Sequence, residues 1–120
     1  MKHSLWLCLA ILAMTSTASA EKIYCYFNEP SVKTTYDSDT NEFTIEALGS
    51  SPQTLTGHVV FGAGILKISD TGLMHFLEVN TMKEGSDGMS DFKYPYHGTL
   101  MGKYSNPQGG CETDHVKKYQ

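Results

Sequence analysis

The chain has 120 residues, nine basic and thirteen acidic side chains, and a net charge of −4 with neutral histidines. Every basic residue is a lysine. Arginine is the usual phosphate ligand and a nucleic-acid binder normally presents a basic patch, so the composition excludes nucleic acid as a partner. An acidic surface of this kind suits a basic protein or a cation, although its commoner meaning is a solvated surface kept away from neutrality.

The first twenty residues have the pattern of a secretory signal peptide. After a short positive start, residues 5–14 form an apolar run too short to stay in a bilayer, and Ala18–Ala20 is an A-x-A cleavage site. Cys25 lies too far beyond this site for a lipobox. We therefore expect an exported protein, periplasmic or secreted, that begins at Glu21 and has no membrane span after cleavage.

Cleavage removes Cys8 and leaves Cys25 and Cys111, one near each end of the mature chain. Two cysteines in an oxidising compartment allow one intramolecular bridge. Neither lies in a C-x-x-C motif, which favours a structural disulfide over a redox or metal pair. We expect a single β domain over residues 21–111, followed by a loose polar tail over 112–120.

Short β-favouring segments follow one another along the mature chain, and the clearest alternation of apolar and polar residues lies at 42–47. Gly57 permits a bulge in one segment, and Pro95 permits a bend in another. Turn-forming clusters lie between most segments, including a hairpin turn at Asp70–Gly72. These patterns predict an all-β fold, a small antiparallel barrel or sandwich of about seven or eight short strands. The predicted strands cover residues 22–28, 32–36, 42–47, 54–61, 65–69, 73–80 and 92–104.

A loop with the sequence S-D-G-M-S-D, Ser86–Asp91, is the densest group of polar side chains. The structural interpretation is that its aspartates and serines accept backbone N–H bonds and fix the turn. Ligand or partner binding, a calcium site and catalysis are further possible roles. Calcium takes six to eight oxygen ligands, and the EF-hand spacing of such ligands is absent.

The loop is followed by Tyr94-Pro95-Tyr96, whose tyrosines suit either core packing with a buried hydroxyl bond or an exposed binding anchor. His97 is better placed for an exposed site than His75, which shares an apolar strand face with Leu77 and Val79. No serine lies in G-x-S-x-G and no histidines have ligand spacing, so we predict no catalytic residue, metal or cofactor. The candidate binding residues are Ser86, Asp87, Ser90, Asp91, Tyr94, Tyr96 and His97.

The loop, the Y-P-Y that follows it and the Gly-Cys at Gly110–Cys111 together resemble the C-terminal signature of a family of small exported bacterial proteins of uncharacterised function. Glu29-Pro30 resembles a second feature of that family. The resemblance implies a β-rich periplasmic or lipoprotein-like protein. Many relatives carry a cysteine directly before the motif, where this chain has Gly85, so the resemblance implies that Cys25 takes over the pairing with Cys111.

Three functions remain open. The first is a non-enzymatic binding module of the bacterial envelope that uses the Ser86–Asp91 loop and Tyr94–Tyr96 for a small ligand or a basic protein. The second is an inhibitor of a basic cell-wall hydrolase such as c-type lysozyme, whose association the acidic charge would steer. The third is a hydrolase using Asp87, Asp91 or His97, since paired carboxylates can do acid–base work.

Overall fold

A computed structural model describes residues 21–29, 31–69, 75–101 and 106–120. Its regular structure in these ranges is entirely β, which confirms the predicted fold class. None of these residues belongs to a helix long and apolar enough to cross a membrane. The strands are β1 Lys22–Phe27, β2 Val32–Asp37, β3 Glu42–Ala47, β4 Gln53–Thr56, β5 His58–Gly62, β6 Ile65–Ser69, β7 His75–Asn80, β8 Tyr96–Leu100 and β9 Gln108–Thr113.

All nine strands belong to one antiparallel sheet in the order β4-β3-β2-β1-β9-β8-β7-β6-β5, coiled into a nearly closed barrel. The two edge strands, β4 and β5, are consecutive in the chain and meet at Gly57. A Cβ on Gly57 would lie 3.1 Å from Ile68 Cγ2 and 3.3 Å from Tyr36 Cε1. A residue without a side chain therefore lets the backbone turn this corner directly against the core.

The corner corrects the prediction of a single bulged strand over residues 54–61. That segment forms both edges of the sheet, which is one reason why the described residues form nine strands rather than seven or eight. The other is β9, which the sequence did not predict because Gly109 and Gly110 interrupt its β-favouring residues. Within the described part of the predicted strand over 92–104, which ends at residue 101, β8 covers Tyr96–Leu100.

Alternation along the strands places one face of each in the barrel interior. Phe43 and Ile45 are buried there while Glu42 and Glu46 are exposed, which confirms the alternation predicted in this segment. Burying an apolar side chain of this size stabilises the fold by about 1.5–3 kcal/mol. The core also includes Cys25, Phe27, Val32, Tyr36, Ile68, Leu77, Val79, Leu100 and Cys111.

The predicted disulfide is present and joins the centre of the sheet. Cys25 on β1 and Cys111 on β9 are register partners, fully buried and bonded to each other across a sequence separation of 86. Gly98 on β8 makes room for the bridge, since a Cβ there would lie 2.5 Å from Cys111 Sγ. On the chain-entropy model, closing so long a loop stabilises the fold by roughly 4 kcal/mol.

Some predicted features lie outside the described residues. Pro30 and the Asp70–Gly72 hairpin turn are among them, as is Leu73. The side chain of His75, placed above on an apolar strand face, is not described either. Leu77 and Val79, predicted to share its face, are both buried.

Candidate functional site

The carboxylate of Asp87 forms the centre of the Ser86–Asp91 loop. Its Oδ1 accepts hydrogen bonds from the backbone N–H groups of Met89 and Ser90, each at 2.8 Å. Its Oδ2 accepts from the Ser90 hydroxyl at 2.8 Å and from the Tyr94 hydroxyl at 2.9 Å. Asp87 is 8% exposed. Both carboxylate oxygens therefore accept hydrogen bonds from the loop itself and from Tyr94.

This network sets the protonation of both partners. Burial alone would raise the pKa of Asp87, but the bonds from Met89, Ser90 and Tyr94 outweigh it and lower that pKa to about 2. Burial and the Asp87 carboxylate together raise the pKa of the Tyr94 hydroxyl. Near neutral pH, Asp87 is therefore always ionised and accepts hydrogen bonds, while Tyr94 is always protonated and donates one. A general acid or base works best with a pKa close to the working pH, and neither group has one.

The rest of the loop turns outward. The Ser86 hydroxyl accepts from the Gly88 N–H at 3.1 Å, and Gly88 has a positive φ of 78°, which glycine adopts without strain. Ser86, Met89 and Asp91 are exposed. Asp87 thus stabilises the loop from its buried side, while Ser86, Met89 and Asp91 are accessible to a binding partner.

The two tyrosines of Tyr94-Pro95-Tyr96 lie on opposite faces of the sheet. Tyr94 is 1% exposed and its ring covers Gly110 on the outer face, where a Cβ would clash with the ring. Tyr96, in register with Cys111, lies on the inner face and is half-buried. Among the candidate residues, Tyr96 is the one that lines the interior of the barrel.

That interior holds a partly open cavity of about 310 Å³. Its polar lining residues are Glu21, Ser38, Thr81 and Thr113. Tyr36, also in the wall, donates its hydroxyl to Asn41 Oδ1 at 2.7 Å, and burial raises the pKa of that hydroxyl. Side chains from six strands complete the mainly apolar wall, namely Ile23, Tyr36, Val59, Leu66, Val79 and Tyr96.

His97 points to the other side of the sheet from Tyr96. Its Nε2 lies 3.0 Å from Gln108 Oε1, and the ring lines a shallow surface depression of about 410 Å³ with Lys83, Ser86 and Gly88. The structure therefore brings His97 next to the first half of the loop. Asp91 does not line this depression.

Metal binding at the loop would need several ligands that converge on one point. In the four described ranges, no three His, Cys, Asp or Glu side chains come close enough together to hold a metal ion. The second carboxylate of the motif, Asp91, is exposed, whereas Asp87 is turned into the loop.

Sequence reasoning missed the cavity. Its wall is made by inward residues of β1, β2 and β5–β9, and their convergence depends on how the sheet closes. The alternation of Leu66 with Lys67 indicated an inward side chain, but not one that borders open space. Neither a family model, nor a curated protein, nor a solved structure matches the chain.

Proposed function

We propose that this protein is an exported, non-enzymatic binding module of the bacterial envelope that takes a small, mainly apolar molecule into its barrel. The observation that carries the proposal is the cavity of about 310 Å³. Ligand pockets commonly measure about 300–1,000 Å³, have mostly apolar walls with a few polar groups, and occur in the mouths of β-barrels.

The size of the cavity limits the ligand. At about 30 Å³ per water molecule in the liquid, the cavity has room for about ten waters, and so for a ligand of about ten non-hydrogen atoms. Val79 and Leu66 on one side and Ile23 on another offer apolar contacts, while the Tyr96 ring adds a flat aromatic surface. These contacts favour an aliphatic chain or a small ring.

The polar lining suggests the orientation of the ligand. The backbone nitrogen of Glu21 lies 2.9 Å from Ser38 Oγ, and both residues line the cavity. Signal cleavage after Ala20 would turn this nitrogen into a charged α-amino group. An anionic group at one end of an apolar ligand would then find a positive partner there.

Octanoate, with an eight-carbon chain and a carboxylate, matches these requirements. We would refold the mature chain from denaturant to remove carried-over ligand and titrate it with octanoate by calorimetry. Leu66→Trp fills the cavity and should weaken binding at least tenfold. Lys67→Trp is the matched control, since Lys67 is the next residue on β6, is exposed and does not line the cavity.

The two variants decide the proposal. Saturable binding by the wild type and Lys67→Trp, lost in Leu66→Trp, supports it. Absence of octanoate binding in the wild type, or equal binding by Leu66→Trp, contradicts it. Octanol as a second probe measures the contribution of the carboxylate.

A second candidate is partner docking at the loop. The observation in its favour is that Ser86, Gly88 and His97 share one surface depression. An inhibitor of a basic cell-wall hydrolase would use such a surface, and the test is a muramidase assay with micromolar protein. Inhibition that is lost in the Ser86→Ala/His97→Ala variant supports this function, and full muramidase activity removes it.

A further inference from the structure

Three aromatic rings surround the ammonium group of Lys118 on the outer face of the sheet. Lys118 Nζ lies 4.8 Å from the ring centroid of Phe92, 5.8 Å from that of Tyr26 and 5.9 Å from that of Tyr94. All three distances fall within the range of about 6 Å over which a ring face attracts a cation. We call these three rings, together with Glu112, the ammonium cage.

Glu112 adds a negative charge to the cage. It is 6% exposed on β9 and lies opposite Tyr24, on the outer face, since its neighbour Cys111 points inward. Burial is the larger cause that raises the pKa of the Tyr26 hydroxyl, and the Glu112 charge is the second cause. The Glu112 charge also contributes to the raised pKa of the Tyr94 hydroxyl. The Glu112 charge therefore acts on the hydroxyl groups of both tyrosines. Aromatic faces with an adjacent carboxylate favour large, weakly hydrated cations.

Two of the three rings of the cage, Tyr26 and Tyr94, are held by well-ordered parts of the fold. Tyr26 belongs to β1, and its ring centroid lies 5.5 Å from that of Tyr94 at an angle of 45°. Tyr94 is held at both ends, by Gly110 beneath its ring and by Asp87 at its hydroxyl. The contacts that hold Tyr26 and Tyr94 do not involve Lys118, so we expect these two rings to keep their places when Lys118 leaves.

Lys118, by contrast, belongs to an exposed C-terminal segment, residues 114–120. Two backbone bonds to Lys93 hold Tyr119, at 2.6 and 2.8 Å. Asp114 accepts from the Lys22 N–H at 3.1 Å and from the Tyr24 hydroxyl at 2.9 Å. A segment held by a few solvent-exposed bonds opens at much lower cost than a core strand.

We propose that the ammonium cage is a binding site for an organic ammonium group, and that Lys118 is an internal occupant which an external ammonium group displaces. The ligand is either a lysine side chain of a partner or a small quaternary ammonium compound, since both carry the same charge into the same rings. The cage lies on the opposite face of the sheet from the cavity, so this site is independent of the proposed barrel ligand.

Removing the internal occupant tests the proposal. Tetramethylammonium and Nα-acetyl-lysine methylamide would be titrated into the mature protein while the NMR signals of the Tyr26 and Phe92 ring protons are followed. Lys118→Ala should bind at least one probe about tenfold more tightly than the wild type, because the fraction of molecules with a free cage rises. Lys117→Ala is the matched control, since Lys117 Nζ lies 5.6 Å from the Tyr24 ring, beside the cage.

A second variant and a neutral probe complete the design. Tyr26→Leu in the Lys118→Ala background keeps an apolar side chain but removes a ring face, and should abolish binding. 3,3-Dimethylbutanol has nearly the shape of a quaternary ammonium compound without its charge and should not bind. Binding of tetramethylammonium alone assigns the site to quaternary ligands, and binding of the lysine derivative alone assigns it to a partner's lysine.

Three results would overturn the proposal. They are no binding of either probe to Lys118→Ala, unchanged binding after Tyr26→Leu, and equal binding of the neutral isostere. A fourth result, equal affinity in the wild type and Lys118→Ala, would overturn the proposed displacement, because Lys118 would then not compete for the cage. The cavity-filling variant Leu66→Trp should leave all these titrations unchanged.

Discussion

The loop before Tyr94 and the cavity beside Tyr96 lie on opposite faces of the same sheet, and they satisfy their side chains in opposite ways. In the loop, Asp87 uses both oxygens on the chain's own donors. In the cavity, apolar side chains of several strands surround open space. The polar side chains of the loop thus stabilise the loop itself, whereas the space for a ligand lies among apolar side chains that form no motif in the sequence.

Asp87→Ala should destabilise the loop and leave the cavity unchanged. It leaves the buried Tyr94 hydroxyl and two backbone N–H groups without their acceptor, and we expect a loss of about 2–3 kcal/mol in the free energy of unfolding. Urea denaturation measures the loss, and octanoate titration should show unchanged affinity.

Asp91→Ala is the control for this variant, since Asp91 is exposed in the same loop. An exposed substitution of this kind should change stability by less than about 0.5 kcal/mol. A result in which both alanine variants cost the same would show that the buried carboxylate has no special role in the loop.

Acid should gradually remove the stabilisation that the Asp87 carboxylate gives to the loop. The pKa of Asp87 falls from its ordinary 3.8 to about 2 in the folded protein, so between these values the unfolded chain binds more protons. The stabilisation is therefore fully present above about pH 4 and is lost as the pH falls towards 2, by up to about 2 kcal/mol. Unfolding curves of the wild type and Asp87→Asn, recorded from pH 6 to pH 2, measure it.

Asp87→Asn has no carboxylate to titrate, so its stability should fall less steeply than that of the wild type over this interval. Parallel pH dependence in the two proteins would assign the acid sensitivity to other carboxylates. The raised pKa of Tyr94 does not enter this interval, because Tyr94 is protonated throughout it.

Alternation made most of the strands predictable, because it is a local property of the sequence. Phe43 and Ile45 could be assigned to the core from their spacing alone. The corner at Gly57 could not be predicted, since it depends on Ile68 and Tyr36, which other strands bring against it. A glycine that permits a bulge and a glycine that divides two edge strands look alike in one sequence.

The candidate site was predictable only in part, for the same reason. In a regular strand, two residues with the spacing of Tyr94 and Tyr96 share a face. The structure places them on opposite faces because β8 begins only at Tyr96, and the spacing carries no signal for this. The C-terminal residues were expected to be loose, yet Tyr119 pairs with Lys93 and its hydroxyl donates to Glu84. Such contacts join residues far apart in the chain, and local composition carries no signal for them.

A smaller effect, a gain in stability, is expected from one residue of the core. Thr34, in register with Cys25 and Ile45, is fully buried, and among the described residues its Oγ1 is the buried side-chain polar atom without a hydrogen-bond partner. Thr34→Val replaces that hydroxyl with a methyl group of similar size, which removes the cost of burying an unpaired polar atom. We expect a gain of about 0.5–1 kcal/mol in urea denaturation. The control is Thr35→Val, on the half-buried outer face, which should change the free energy of unfolding little. A loss of stability in Thr34→Val would mean that the Thr34 hydroxyl has a partner in solution, such as a water molecule inside the barrel.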